Sequence, residues 1–199
     1  MDTRLKPRKT PVQGRSKATC DAVLEAAARI LVEEGRSALT TNRIAERAGV
    51  SVGSLYQYFP GKEAIVAELI REMRRDMVVL LRGAVDAAAT QAFRPAVGML
   101  LAATLDHHTA RPELARALER EEEDLPIDME TQVLKAELRG LIAGFLRERG
   151  VADAEHCAFD LVAMCHGMAS AAVRAGQDDT KDLKARLERA VLGYLGRPE

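Results

Sequence analysis

The chain has 199 residues, is 47% apolar and 30% charged, and carries a formal net charge of −1. That balance fits a folded chain of one or two domains and argues against a disordered segment. Its longest apolar stretches, such as Val97–Leu105, fall far short of the ~20 residues that span a bilayer, so no membrane role is expected.

Strong helix formers (Ala, Leu, Arg, Glu) dominate, Trp is absent and aromatic residues make up 4%, so an all-α protein is expected. Residues 1–15 contain Arg4, Lys6, Arg8, Lys9 and Arg15 without apolar periodicity and read as a flexible basic arm. A first helix from Ser16 places Val23, Leu24, Ala27, Ala28 and Leu31 at helical spacing and stops at Gly35. Thr40 is positioned to cap a short helix, Thr41–Ala48, closed by Gly49. Ser51 caps a third, Val52–Phe59, broken by Pro60-Gly61. A long helix follows over Lys62–Ala89. Five more are expected at about Pro95–Thr109, Pro112–Glu123, Asp128–Arg149, Ala154–Ala175 and Thr180–Leu195, making about nine.

Charge divides unevenly along this order. Residues 1–62 hold 11 Lys/Arg and 6 Asp/Glu, a net of +5, and the remainder is −6. A cationic module that meets a polyanion, attached to a body that does not, has this distribution. Cys20, Cys157 and Cys165 form an odd, sparse set without ligand spacing, and no apolar signal segment follows the N-terminus. Reduced thiols in a cytoplasmic protein are expected, with no metal and no cofactor.

The most informative segment is Leu39–Lys62. Two short helices are joined by Gly49-Val50-Ser51, and Ile44, Ala45, Ala48, Val50, Leu55 and Phe59 can close a small core against the first helix. The small Ala45 and Ala48 allow the close crossing that a helix-turn-helix requires. Thr40, Ile44-Ala45, Ala48-Gly49-Val50-Ser51, Gly53, Leu55-Tyr56, Tyr58-Phe59 and Lys62 follow without a break the pattern of the TetR family of bacterial repressors, which the segment closely resembles. About 45 N-terminal residues carry this resemblance; beyond them only length and helix count agree.

In a helix-turn-helix the second helix enters the major groove and its N-terminal residues meet base edges. Val52, Gly53, Ser54 and Gln57 are therefore candidate base contacts. Val52 suits a thymine methyl, Gln57 suits adenine, and Gly53 allows close backbone approach. The resemblance implies phosphate contacts for Thr40, Thr41, Tyr56, Tyr58 and Lys62. Arg43, early in the second helix, is a candidate for phosphate or base. Tyr56 and Tyr58 are two apart, so one helix cannot bury both on one face.

After the arm (1–15) and the helix-turn-helix domain (16–62), the resemblance implies a ligand-binding and dimerisation domain (63–199), reached through the long helix. In the last piece, Phe159, Ala163, Gly167 and Ala171 repeat every four residues beside a second line, Cys157, Leu161, Met164, Met168 and Ala172. Two apolar lines on one helix exceed what a single partner needs, so one is expected to face a second subunit. Leu187 and Val191 of the last helix are expected in the same homodimer interface. Candidate effector-pocket residues are Leu101, Leu105, His108, Leu138, Leu141, Phe145, Met164 and Met168. Adjacent residues diverge by about 100° on a helix, so His107-His108 makes a poor metal site.

No Gly-rich phosphate loop, nucleophile elbow or metal-spaced cluster points to an enzyme. The expected function is a sequence-specific repressor, released from palindromic operator DNA by a small, mainly apolar effector. The alternative is an architectural DNA binder, ligand-independent or working with a protein partner, whose C-terminal part is packed solid.

Overall fold

A computed structural model describes residues 14–125, 129–177 and 179–197, without the side chains of residues 14–15, 106–110, 123–124 and 173. All regular structure among the described residues is helical: α1 (Gly14–Glu33), a 3₁₀ turn (Arg36–Ala38), α2 (Thr41–Ala48), α3 (Val52–Tyr58), α4 (Lys62–Ala88), α5 (Phe93–Ala110), α6 (Pro112–Asp124), α7 (Met129–Glu148), α8 (Ala154–Arg174) and α9 (Thr180–Tyr194). Most of the basic arm lies outside the described residues.

The local punctuation has the physical basis read from the sequence. Thr40 is extended and its hydroxyl accepts the backbone N–H of Arg43 at the start of α2. Ser51 does the same for Ser54 N–H at the start of α3, and Asp179 accepts the N–H groups of Lys181 and Asp182 at the start of α9. Each side chain satisfies a donor that the first helical turn leaves without a partner. Gly49 ends α2 at φ +68°, a left-handed conformation costly for other residues, and Val50 N–H then returns to Ala45 C=O at 3.0 Å.

The helices form two compact units. The first joins residues up to Arg74 with Arg111–Gln132, and the second joins Arg75–Ala110 with Val133–Glu199. The compact division therefore falls inside α4, not at the 62/63 boundary, because the first half of α4 and all of α6 contribute to the first core. Val23, Ala27, Ala28, Leu39, Ile44, Ala45, Leu55, Phe59, Ile65, Leu69 and Leu118 are all buried in it. At the surface of that unit Arg29 and Arg111 both bridge Glu25, tying α1 to the start of α6. The Arg29 guanidinium, then that of Arg111, holds the Glu25 carboxyl below its usual range.

The first unit also buries charge. Arg71 is 0% exposed, donating to Glu68 at 2.6 Å and facing Glu130 at 3.8 Å, while Arg74 donates to Glu122 at 2.6 Å. Buried charges are tolerated only when paired in this way.

In the second unit, α5 packs along α9 in a core that contains Leu101, Leu105, Leu138, Phe145, Leu161, Leu183, Leu187 and Val191. One end is closed by an aromatic and guanidinium stack. The rings of Phe93 and Phe145 lie 6.1 Å apart, with Arg149 over Phe145 and Arg197 over Phe93. Arg149 also donates to the Ala88 carbonyl at 2.7 Å, and Arg197 to the Arg149 carbonyl at 3.1 Å. Both acceptors lie at helix C-termini, where carbonyls are left outside the helical ladder; the Ala88 carbonyl also accepts the Gln91 N–H at 3.0 Å.

The interface expectations for α9 need correction. Leu187 and Val191 are 2% and 6% exposed, filling the protomer's own core, and so are not available to a second subunit. On α8 the two apolar lines separate as the spacing requires. Leu161 and Ala172 are buried and Cys157, Met164 and Met168 pack against the core, whereas Phe159, Ala163, Gly167 and Ala171 are all exposed.

Candidate nucleic-acid interface

α2 and α3 are held rigidly from beneath. Ile44 and Leu55 are wholly buried, Ala45 and Phe59 nearly so, and Ala48 and Val50 pack against the same core. With the apolar side of α3 committed inward, its opposite side presents Val52, Gly53, Tyr56 and Gln57 to solvent. Val52 is 36% exposed and Tyr56 38%, so both side chains reach solvent on this face. A Cβ placed on Gly53 would meet only the Ser51 hydroxyl, at 3.9 Å. The protomer itself does not require glycine there.

The two short helices are joined at the surface as well as beneath it. Thr41 Oγ1 and Tyr56 OH lie 3.2 Å apart, within hydrogen-bond reach, so the first turn of α2 and the outer side of α3 present two hydroxyls together. The Thr40 side chain is engaged in capping, and Lys62 opens α4, half-buried beside Arg36, Leu39 and Glu121 around a small cleft. The N-terminal turns of α2 and α4 thus carry Thr41 and Lys62, where unpaired backbone N–H groups add positive potential.

Three candidates sit differently from their sequence reading. Ser54 is half-buried, and its hydroxyl lies 2.8 Å from that of Ser51 inside the α3 cap, which draws it away from base edges. Tyr58 is half-buried against the core, leaving Tyr56 as the exposed member of the pair. Arg43 is bridged to Glu34, beyond the end of α1, and its neighbour Arg47 bridges both Glu33 and Glu34. The sequence reading missed these two carboxylates. Their only signal was the like-charged Glu33-Glu34 pair directly before Gly35.

The candidate effector residues lie in the second unit. Leu101, Leu105, Leu138 and Phe145 are buried together, and Leu141, Met164 and Met168 pack against them. The His108 side chain lies outside the described set. A cleft of about 220 Å³ is found elsewhere, in the first unit, lined by Ala28, Val32, Leu114 and the charged Arg29, Glu33 and Arg111 among others. No helix among the described residues is long and apolar enough to cross a membrane, and no group of three or more His, Cys, Asp or Glu is placed to hold a metal ion.

Residues 23–69 match the model of bacterial regulatory proteins of the tetR family, and residues 93–195 match the tetracyclin repressor-like C-terminal domain. The HTH-type transcriptional repressor KstR2 of Mycolicibacterium smegmatis is 30% identical over 146 residues, covering 72% of this chain and 69% of the relative. KstR2 of Mycobacterium tuberculosis is 34% identical over 102 residues, and there the match spans about 50% of each protein. Among solved structures, the transcriptional regulator FadR of Bacillus subtilis in complex with stearoyl-CoA superposes with a TM-score of 0.70 at 19% identity. That match covers 90% of this chain and 98% of FadR.

Proposed function

The chain belongs to the tetR family of bacterial regulatory proteins, and on that premise we propose that it is a homodimeric, ligand-released repressor of transcription. The observation that carries DNA reading is the exposed side of α3. Val52, Gly53, Tyr56 and Gln57 face outward from a helix whose other side is locked in the core. Val52, Gly53 and Gln57 meet base edges in the major groove, while Thr41, Tyr56 and Lys62 fix register on phosphates. The function needs no catalytic group, and we place the protein in the cytoplasm with its operator.

Dimerisation is assigned to α8. Phe159, Ala163, Gly167 and Ala171 form an exposed line of an aromatic and three small residues, and a Cβ on Gly167 would meet nothing within 4 Å of the protomer. Small residues unused by the protomer suit a close crossing with the same helix of a second copy. Two reading helices related by that two-fold require a palindromic operator with half-sites ~34–36 Å apart.

The effector is assigned to the apolar core of the second unit, around Leu101, Leu105, Leu138, Leu141, Phe145, Met164 and Met168. Methionine-containing cores repack readily around a guest. The apolar lining favours a ligand with a long hydrocarbon portion, and the stearoyl-CoA bound to the structurally similar FadR supplies a first probe. Release requires that the ligand bind the non-DNA-binding conformation more tightly.

Footprinting on duplexes selected from a random library tests the DNA reading, and a single unpaired half-site would defeat it. Thermal shift and operator release with stearoyl-CoA, and with fatty acids of graded length, test the sensing. If ligands stabilise the protein but leave operator affinity unchanged, an architectural DNA binder replaces the repressor reading.

A further inference from the structure

The reading head is nearly neutral. Outside the arm, residues 16–62 contain six Lys/Arg and five Asp/Glu, a net of +1. All four arginines in this stretch bridge a carboxylate: Arg29 with Glu25, Arg36 with Glu121, and Arg43 and Arg47 with Glu33 and Glu34. Glu33 and Glu34 sit at the C-terminal end of α1, where the helix dipole is already negative and no basic residue of α1's last turn offsets it. That placement is unfavourable in isolation and is offset here by the guanidinium groups of α2. Arg43 lies in the first turn of α2, two residues after Thr41, on the side of the unit that meets phosphates under the reading above.

We propose that Glu34 is a specificity-determining residue, an internal stand-in for phosphate that occupies Arg43 until operator DNA displaces it. This rests on the DNA-binding reading above. Phosphate contacts supply nearly all sequence-independent affinity, and each one neutralised adds about 0.9 to the slope of log affinity against log salt. A guanidinium held by a carboxylate releases no counterion when a random duplex passes. Only a duplex in correct register brings a phosphate close and long enough to compete. The clamp thus lowers non-specific affinity more than specific affinity, and the discrimination ratio rises. The chemistry is ion-pair exchange, with Arg43 passing from one oxyanion to another.

The experiment measures affinity and salt dependence of the full-length protein on two duplexes. One is recovered by in vitro selection with the wild type; the other is its scrambled counterpart. Glu34→Gln should raise affinity for the scrambled duplex at about 50 mM salt and steepen its salt slope by about one, so that the gain shrinks roughly three- to fourfold by about 200 mM. Its slope on the selected duplex should stay unchanged. Arg43→Gln should reduce the slope on the selected duplex by about one and leave the scrambled slope alone. The double variant should return scrambled binding to the wild-type level, showing that the Glu34 effect runs through Arg43.

Equal slope losses on both duplexes with Arg43→Gln would show Arg43 to be an ordinary phosphate contact and overturn the proposal. So would Glu34→Gln leaving scrambled binding unchanged, or Arg43→Gln leaving both slopes unchanged. A wild type that retains no duplex from the library overturns the DNA-binding reading itself, and the clamp with it. Both side chains are at the surface, and circular dichroism with thermal melting confirms that each variant is folded.

Discussion

Thr41 and Tyr56, 15 residues apart in the chain, bring their hydroxyls to 3.2 Å across the junction of α2 and α3. The geometry suits two hydroxyls converging on one phosphate, the contact between them giving way as each turns its single proton to a phosphate oxygen. Tyr56→Phe should weaken binding to operator and unrelated DNA alike, by about 0.5–1.5 kcal/mol. Thr41→Val should cost a similar amount, and the double variant less than the sum of the two, because groups sharing a partner do not act independently. Fluorescence anisotropy on both duplexes checks this, and strictly additive losses would place the two hydroxyls on separate phosphates.

Lys62 and Gln57 should separate charge from reading. Lys62→Ala removes one cation and should lower the salt slope by about one on every sequence. Gln57→Ala should instead leave the slope intact and relax preference at particular base pairs, costing ~1–3 kcal/mol there. Selection from a random library with each variant reports the difference. Indistinguishable profiles would mean that α3 is wrongly oriented on the groove.

Gly53→Ala should dissociate stability from function. The new methyl group has room, with its nearest neighbour at 3.9 Å, and alanine favours a helix over glycine. Thermal stability should hold or rise by about 0.5 kcal/mol. Operator affinity should nevertheless fall, because the methyl stands between the α3 backbone and the groove. Unchanged operator affinity would remove Gly53 from the interface.

The α8 line and the α9 core residues should give opposite phenotypes. Gly167→Leu or Ala163→Leu adds bulk to an exposed face and should leave the protomer folded while breaking the dimer in sedimentation. Overpacking a close crossing costs ~1–3 kcal/mol per site, and a two-fold counts each change twice. Leu187→Ala opens a cavity in the protomer's own core and should lower unfolding stability by about 2–5 kcal/mol. A Gly167→Leu protein that remains dimeric would move the interface elsewhere.

Much of the reading head is legible in the sequence because its determinants are local. Thr40 and Ser51 cap helices a few bonds away, Gly49 takes a left-handed turn in place, and the 3.6-residue period places Ile44, Leu55 and Phe59 on the buried side. The separation of the two α8 lines is legible for the same reason, since residues four apart share a face whatever packs against them. The choice of which line faces inward is not, because both are apolar enough to be buried.

The sequence by itself therefore determined the all-helical class, the helix boundaries to within a few residues and the reading segment 39–62. Tertiary structure decided what depends on partners remote in the chain. It sent Leu187 and Val191 inward, drew α6 and half of α4 into the first core, buried Arg71 between carboxylates, and set Glu34 against Arg43. The physical reason is range. Capping and helical periodicity act over one or two turns, and a linear pattern records them. Burial and ion pairing are set by which surfaces meet in space, and an arginine at a helical surface position carries no mark of whether water, phosphate or a carboxylate will receive it.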